Sequence, residues 1–265
     1  MKNTGFLYRV KSAARDIGLL DGHSDYTRFI ILGRSGTGSN FVRRLLSSDK
    51  RIIVFGEIFR NCTSIGWDIP GYPQGRRTLS LFRTDPARFL EREVFRKMPQ
   101  HISAAGFKIF YSHAQNELWK PVWAYLRDQE NLKVIHLKRH NILKAHLSLR
   151  KAFKTDMWVD TRGAEECSVP MSLDYEDCLQ AFTWTRDCEE KYDAFFNGNH
   201  KIDVLYEDLC DDCRSELKRI KEFLGVDVEP SDNRQSRPPL SKAISNYFEL
   251  KERFRGTSWE EFFED

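Results

Sequence analysis

Short apolar runs alternate along the chain with stretches in which apolar residues recur at helical spacing. Five of these runs are rich in β-branched or aromatic residues and have the length of buried strands. They are Arg28–Leu32, Ile52–Phe55, Gly106–Phe110, Lys133–Leu137 and Ile202–Tyr206.

Helical patterns and their end signals fill the intervals between these strands. The predicted helices are Phe41–Ser48, Pro86 to about Lys97, Asn141 to about Lys154, a long helix from Asp174, and Asp211–Leu224 ended by Gly225. Strands that alternate with helices predict an α/β fold of three layers: a mainly parallel, P-loop-like sheet with helices on both faces. Ligands of such folds bind at the carboxyl ends of the strands.

Two stretches, Arg60–Thr84 and Thr155–Ser172, show little periodicity. Irregular loops over a rigid sheet usually shape a substrate site, and we expect that role here. The chain is expected to form a single domain over residues 1–265, with a core of about 28–226. Its aromatic tail, 227–265, is expected to pack back on that core.

Composition narrows the function. The chain has 265 residues, 40% of them apolar, and 42 basic against 39 acidic residues leave a formal charge of +3. This balance does not predict the broad basic surface of a nucleic-acid binder, and an anionic small molecule suits it better. The apolar runs are far shorter than the roughly 20 residues of a membrane span, and the N-terminus has no signal-peptide pattern, so we expect a cytoplasmic protein. Only Cys210 and Cys213 form a CxxC, and no bound metal is expected.

Residues 33–40, GRSGTGSN, follow the apolar run FIIL and resemble the start of a Walker A loop, GxxxxGK[ST]. Ser39 and Asn40 stand where the lysine and the magnesium ligand belong, so a triphosphate with its metal would be poorly held. The glycine turn and the following helix N-terminus still favour an oxyanion, and Arg34 adds a cation. A tight strand-to-helix connection without a ligand is the alternative. The residues expected to bind the anion are Arg34, Ser35, Gly36, Thr37, Gly38, Ser39 and Asn40.

A second segment, KVIHLKRHNILKAHLSL (133–149), places Arg139 at the carboxyl end of a predicted strand and Ser148 in the following helix. A guanidinium and a hydroxyl can hold a second, separate phosphate. An exposed arginine and an ordinary serine on a helix face are the alternative. His136 lies inside the apolar run and is expected to be a buried, hydrogen-bonded imidazole.

In FGEIF (55–59), Glu57 directly follows a predicted strand. Its apolar neighbours favour a carboxylate that accepts protons, and Glu57 is therefore a candidate general base. A solvated cap after the strand is the alternative. His113 and His140 also lie near strand ends and are possible helpers.

These motifs together resemble the sulfotransferases that use 3′-phosphoadenosine 5′-phosphosulfate (PAPS). GRSGTGSN is similar to their 5′-phosphosulfate loop, and LKRHNILKAHLSL to their 3′-phosphate-binding segment. GEIF resembles the acidic motif of the bacterial carbohydrate branch, and VLYEDLCDDCRSELKRIKEFLGV a late strand, turn and helix of the family. The matches span about Arg28 to Val226, in the order found in the family.

The resemblance implies PAPS as donor, 3′-phosphoadenosine 5′-phosphate (PAP) as product, and no metal. Arg34 would neutralise charge on the bridging oxygen, Glu57 would take the proton of an acceptor hydroxyl, and Arg139 with Ser148 would hold the 3′-phosphate. Bacterial members carry a lysine in the segment that matches GFKIFYSHA, which makes Lys108 a donor- or acceptor-site candidate. An ordinary strand lysine that reaches solvent is the simpler expectation for that residue.

Departures from the family pattern concern the late Arg-Lys-Gly element, which has no match here; Arg234 and Arg237 are possible substitutes. The acceptor implied by the bacterial branch is a carbohydrate or glycolipid. Aromatic or apolar side chains of the two irregular stretches that could stack on sugars are Trp67, Tyr72, Met157 and Trp158.

Two other functions remain open at this point. A P-loop small-molecule kinase would need a magnesium carboxylate, for which Glu207 and Asp208 are candidates. A non-catalytic PAP-binding protein would keep the donor site without turnover. The sequence does not predict the oligomeric state.

Overall fold

Five strands form one sheet in the computed structural model, which describes residues 10–11, 13–155, 170–227 and 240–264. The strand order is β2-β3-β1-β4-β5, and all neighbours are parallel. This confirms the predicted α/β fold with a parallel sheet. The strands are β1 (Thr27–Gly33), β2 (Ile52–Glu57), β3 (Ala104–Phe110), β4 (Leu132–Lys138) and β5 (His200–Leu205).

Helices connect the strands and cover the sheet. They are α1 (Ser39–Ser47), α2 (Arg76–Thr84), α3 (Pro86–Phe89), α4 (Pro121–Arg127), α5 (Ile142–Thr155), α6 (Tyr175–Phe195), α7 (Tyr206–Asp211), α8 (Cys213–Leu224), α9 (Leu240–Ala243) and α10 (Tyr247–Arg253). The side chains of Asn141 and Asp174 accept hydrogen bonds from the backbone N–H groups of Lys144 and Asp177, which is how caps start α5 and α6. Gly225, with φ of 74°, ends α8 as predicted.

Two helical predictions were wrong in detail. The stretch expected to be irregular up to Thr84 contains α2, in which Thr78 and Phe82 are the buried residues. The helix expected from Pro86 is short, because the chain turns from α3 into a π-helical turn at Leu90–Val94. A pattern with the α-helical period does not predict such a widened turn.

Apolar side chains alternate between the two faces of the sheet and build a core on each. Along β1, Ile30 and Leu32 face the aromatic cluster with Phe55 and Phe107, while Phe29 packs with α1 and α8 on the other face. A third cluster joins α5 and α6 to α9, α10 and the turn at Glu260–Phe263. Within the described residues, the helices are too short or too polar to cross a bilayer.

Candidate active site

The glycine loop, residues 34–38, connects β1 to α1 at the carboxyl edge of the sheet. Gly36 and Gly38 have φ values of 92° and 85°, a conformation that favours glycine. A Cβ on Gly36 would lie 2.4 Å from the carbonyl oxygen of Ala145 in α5, and one on Gly38 would lie 2.1 Å from the ring of Tyr206. The loop therefore needs both glycines to fit between α5 and that ring.

Arg139 follows β4 and reaches the glycine loop, as its position at the strand end predicted. It is buried, its guanidinium donates to the carbonyl oxygen of Gly36 at 3.0 Å, and it stacks over the Tyr206 ring at 4.6 Å. Ser148 lies in α5, partly buried and one turn beyond Ala145. The two residues thus flank the loop; their phosphate-binding roles stay predictions.

The Arg34 guanidinium turns from the loop toward α6. It donates to the hydroxyl oxygen of Thr185 at 2.6 Å and to the carbonyl oxygen of Ala181 at 3.4 Å, and the ring of Trp184 lies 5.9 Å away. Burial lowers the pKa of Arg34 to about 10, partly opposed by the charge of Glu189. The side chain therefore still carries its charge at neutral pH.

Lys108 occupies the centre of the site. It lies in β3 with 1% of its surface exposed, and its ammonium donates to Asn40 Oδ1 at 2.5 Å and to Glu57 Oε1 at 3.2 Å. The expectation that it reaches solvent was wrong, because α1 and the end of β2 cover it. Burial lowers the pKa of Lys108, and the charge of Glu57 acts in the opposite direction. One buried cation thus joins the first turn of α1 to the candidate base.

His113 lies on the other side of Glu57. Its Nδ1 accepts a hydrogen bond from the Phe110 backbone N–H at 3.2 Å, so the neutral ring carries its proton on Nε2, which is 3.8 Å from Glu57 Oε2. Burial, followed by the charges of Lys108 and Arg60, lowers the pKa of His113 to about 4. The setting of Glu57 is therefore polar as well as apolar, unlike the purely apolar surroundings expected from FGEIF.

A cavity of about 570 Å³ opens beside Glu57. We call it the Glu57 cavity; its remaining lining comes from Arg60, Asn61, Ser64, Ile65, Gly66, Trp67, Asp68, Ile69, Pro70, Gly71, Tyr72 and Gln74. Hydrogen bonds fix its wall, since the Gln74 amide pairs with both backbone groups of Ile65 and the Trp67 indole donates to Pro73. The loop thus presents a preformed pocket.

The aromatic residues of the two irregular stretches differ in how far they are buried. Trp67 is 3% exposed and packs on Phe55, so it anchors the loop instead of offering a free face. Tyr72 is only partly buried and lines the cavity. Four further candidates lie outside the described residues: Met157, Trp158, Arg234 and Arg237.

Sequence reasoning missed Arg43 and Asp68. Arg43, in α1, donates to the backbone carbonyl oxygens of Asp68 and Val54, and so ties the cavity wall to the helix that follows the glycine loop. Asp68 stands in the stretch without periodicity, where no rule singled it out. Only its neighbours in the folded chain reveal it.

Glu207, a candidate magnesium ligand for the kinase alternative, is engaged elsewhere. Its two carboxylate oxygens accept hydrogen bonds from the backbone N–H groups of His140 and Asn141, at 3.0 and 3.3 Å. It therefore stabilises the start of α5, where backbone N–H groups need acceptors.

A second group of charged residues lies between β4, β5 and α6. His136, Asp193 and Asp203 each bring a possible ligand atom to within 4.8 Å of the others, a metal-like spacing. Lys138, however, donates to both carboxylates at 2.7 and 2.8 Å, and Lys201 donates to Asp193. His136 is fully buried and bonded through both ring nitrogens, to Asp193 and to Tyr111, as its place in the apolar run predicted.

Comparison with known proteins finds similarity over nearly the whole chain. Nodulation protein H of Rhizobium meliloti is 25% identical over 245 residues, which cover 89% of this chain and 94% of that protein. The protein of strain 1021 matches at the same identity over 246 residues. No family model matches the chain.

Solved structures of sulfotransferases are also similar, at low identity. The sulfotransferase of Alicyclobacillus acidocaldarius has a TM-score of 0.45 and 17% identity, covering 85% of this chain and 90% of that chain. Mouse sulfotransferase SULT7A1, solved with PAP, has a TM-score of 0.45 and 15% identity, covering 91% and 70%. The ordered motifs and the nearly full-length similarity to nodulation protein H agree, and together they support a sulfotransferase family for this chain.

Proposed function

We propose that this protein transfers the sulfuryl group of PAPS to a hydroxyl of a carbohydrate or glycolipid, without a metal ion. The observation that carries the proposal is the position of Lys108, whose ammonium contacts both Asn40 of the glycine-loop helix and Glu57 beside the cavity. These contacts support a proposed donor site and a proposed proton acceptor that lie within the length of one side chain. The proposal treats residues 1–265 as one domain.

On the donor side, the glycine loop and the start of α1 would bind the phosphosulfate end of PAPS through backbone N–H groups. Arg139 and Ser148 would hold the 3′-phosphate. Arg34 would leave its contact with Thr185 or share it, and would balance charge on the bridging oxygen as the S–O bond breaks. Lys108, already at the helix start, would add a second cation for the same purpose.

On the acceptor side, Glu57 would accept the proton of the attacking hydroxyl. The hydroxyl oxygen forms the new bond to sulfur, the bond from sulfur to the bridging phosphate oxygen breaks, and PAP leaves with that electron pair. Lys108 bonds one oxygen of Glu57, and the neutral His113 ring lies 3.8 Å from the other, so the carboxylate keeps acceptor capacity at the edge of the cavity.

The cavity supports a carbohydrate acceptor. Side chains with amide, hydroxyl or charged groups line much of it, together with the partly buried ring of Tyr72. Sugars combine hydroxyl groups with apolar ring faces, which this mixture can match. Both carboxylate oxygens of Glu207 already accept backbone hydrogen bonds, which does not favour its use as a magnesium ligand in the kinase alternative.

Isothermal titration with PAP in the presence of EDTA tests the donor assignment. We expect PAP to bind without magnesium and more tightly than ATP with magnesium. Replacing Arg139 by methionine should weaken PAP binding by about 10- to 100-fold, since charge-assisted hydrogen bonds contribute about 1.5–3 kcal/mol. Binding of ATP that requires magnesium and exceeds that of PAP would contradict the proposal.

A further inference from the structure

Asp68 places a second carboxylate in the Glu57 cavity. Its side chain is 49% exposed, and it lines the cavity together with Glu57. A Cβ added at Gly56 would lie 2.1 Å from Asp68 Oδ2, so the carboxylate lies directly against the residue that precedes the candidate base. Glycine at position 56 is what permits this approach.

Hydrogen bonds hold the backbone at Asp68, whereas its carboxylate can still accept hydrogen bonds from a ligand. Arg43 donates to the Asp68 carbonyl oxygen at 2.7 Å and to Val54 at 3.3 Å, but its guanidinium stays 3.7 Å from Asp68 Oδ2. Across the described residues, no donor reaches the Asp68 carboxylate at hydrogen-bonding distance. Asp68 also has φ of 50°, a conformation that aspartate and asparagine adopt more readily than most residues.

An ionised carboxylate only accepts hydrogen bonds, so the group that it recognises must donate them. Because Asp68 and Glu57 line the same cavity, and Asp68 lies against Gly56, we expect that donor to lie close to the hydroxyl whose proton Glu57 would take. Neighbouring hydroxyls on a sugar ring have this arrangement. An acceptor with one isolated hydroxyl would cover the Asp68 carboxylate without giving it a hydrogen bond, which is unfavourable.

We propose that Asp68 determines acceptor specificity by accepting a hydrogen bond from a hydroxyl next to the one that is sulfated. The acceptor class is therefore a polyhydroxyl compound with neighbouring hydroxyls, as opposed to a simple alcohol or a phenol. This inference rests on the proposed function and names a residue that selects its substrate.

The test compares matched acceptors and matched variants. Product formation from PAPS is measured with trans-1,2-cyclohexanediol and cyclohexanol, and with a panel of sugars and their deoxy derivatives. The variant is Asp68→Asn, because asparagine keeps the size and tolerates the same backbone conformation. The control is Asp128→Asn, an exposed carboxylate that precedes β4 at the opposite edge of the sheet. Thermal unfolding and PAP titration accompany both variants.

We expect Asp68→Asn to lower kcat/KM for the diol and the sugars by about 10- to 100-fold, mainly through KM, and to change cyclohexanol by less than about threefold. PAP binding and Tm should match those of the wild type, and Asp128→Asn should change nothing. With the wild type, removing the neighbouring hydroxyl from a sugar should lower kcat/KM by about the same 10- to 100-fold. With Asp68→Asn, the sugar and its deoxy derivative should have similar kcat/KM values.

Equal losses on the diol and on cyclohexanol would overturn the inference, because Asp68 would then support catalysis or structure in general. An unchanged diol activity would overturn it as well. So would a wild type that binds PAP and sulfates only single-hydroxyl acceptors, although the proposed function would stand. A wild type that neither binds PAP nor transfers sulfate would instead refute the proposed function itself.

Discussion

Two clusters of charged side chains on this sheet contain the same kinds of group but differ in how completely they are bonded. The Glu57 cluster consists of Glu57, Lys108 and His113. The Asp193 cluster consists of His136, Lys138, Asp193, Lys201 and Asp203. Each contains a buried histidine, and burial lowers the pKa of that histidine to about 4. Each also contains a lysine that donates a hydrogen bond to a carboxylate.

The Asp193 cluster is closed. One oxygen of Asp193 accepts from His136 and Lys201, and the other accepts from Lys138, which also bonds Asp203. Burial opposes ionisation of Asp193, but these hydrogen bonds outweigh it and hold its pKa below the usual range. The two ammonium groups supply the positive charge that a metal would otherwise bring to His136, Asp193 and Asp203.

The Glu57 cluster is open. Lys108 bonds one oxygen of Glu57, whereas His113 remains 3.8 Å from the other, and the carboxylate borders a cavity. In a closed network the carboxylate oxygens are already paired with donors inside the protein, so the network contributes to stability and not to substrate binding. An open network beside a cavity keeps acceptor capacity for a ligand, which is what distinguishes a site from a structural ion cluster.

The largest effect that this comparison predicts is on catalysis. Glu57→Gln removes the proposed proton acceptor while keeping the size of the side chain, and sulfation should fall by about 10²- to 10⁴-fold. PAP binding should remain, because Glu57 borders the cavity proposed for the acceptor. Product formation by mass spectrometry and PAP titration measure the two properties.

Asp193→Asn is the matched control for Glu57→Gln. It makes the same chemical change in the closed cluster, and we expect lower Tm with full activity in the protein that remains folded. If Glu57→Gln turned over at the wild-type rate, Glu57 would not be the base. If Asp193→Asn abolished transfer in folded protein, the distinction between open and closed clusters would fail.

The next effect separates the two lysines. Lys138→Met leaves Asp193 and Asp203 without their shared cation, and we expect a loss of about 2–3 kcal/mol in the free energy of unfolding with unchanged activity. Lys108→Met removes a desolvated charge from an apolar strand, which offsets the loss of its hydrogen bonds to Asn40 and Glu57, so the free energy of unfolding should change by less than about 1 kcal/mol. Its kcat should nevertheless fall by at least about 100-fold, because a cation proposed to act at the reacting group is lost.

Urea unfolding and steady-state kinetics on both variants decide this prediction. Lys108→Arg and Lys138→Arg are the controls that keep the charge. A Lys108→Met protein with normal kcat would show that the buried ammonium serves structure alone. Loss of activity in folded Lys138→Met would give the closed cluster a role in catalysis.

The sequence predicted the frame of this site well. All five strands, the parallel sheet and the caps at Asn141 and Asp174 follow from local patterns, and the structure confirms them. The arrival of Arg139 at the glycine loop also followed from chain order, because parallel strands end at one edge. The catalytic and binding roles themselves stay predictions.

What the sequence did not predict depends on contacts between distant segments. Lys108 looked like a strand lysine that reaches solvent, yet β3 lies between β1 and β2 and is buried throughout. A buried parallel strand reads as a continuous apolar run, so a lysine within it signals an internal partner. Asp68 gave no such signal, since its position follows from Arg43 and from the glycine at position 56.

A smaller, pH-dependent effect should be common to both clusters. His113 and His136 have folded-state pKa values of about 4, whereas an unfolded histidine has a pKa near 6.5. Between these values the unfolded chain binds more protons, so stability is present above about pH 6.5 and is lost as pH falls toward 4. From pH 7 to pH 5, each histidine should lower the free energy of unfolding by about 2 kcal/mol at most.

Urea unfolding at the two pH values tests this effect with His113→Asn and His136→Asn. Each variant should show a smaller pH-dependent loss than the wild type, and only His113→Asn should alter the pH profile of kcat. An unchanged pH dependence in both variants would contradict the assignment of neutral, buried imidazoles. An altered activity profile in His136→Asn alone would reverse the roles of the clusters.

The smallest effect concerns Asp203, the exposed carboxylate of the Asp193 cluster, and tests whether stability depends on it. Asp203 is 49% exposed and shares Lys138 with Asp193, which has two further donors of its own. Asp203→Asn should therefore reduce the free energy of unfolding by less than about 1 kcal/mol, the usual range for an exposed ion pair, and the loss should shrink further in high salt. Activity should be unchanged. A loss above about 2 kcal/mol that salt does not reduce would contradict this prediction. It would mean that the ion pair of Lys138 with Asp203 stabilises the fold as much as its ion pair with Asp193.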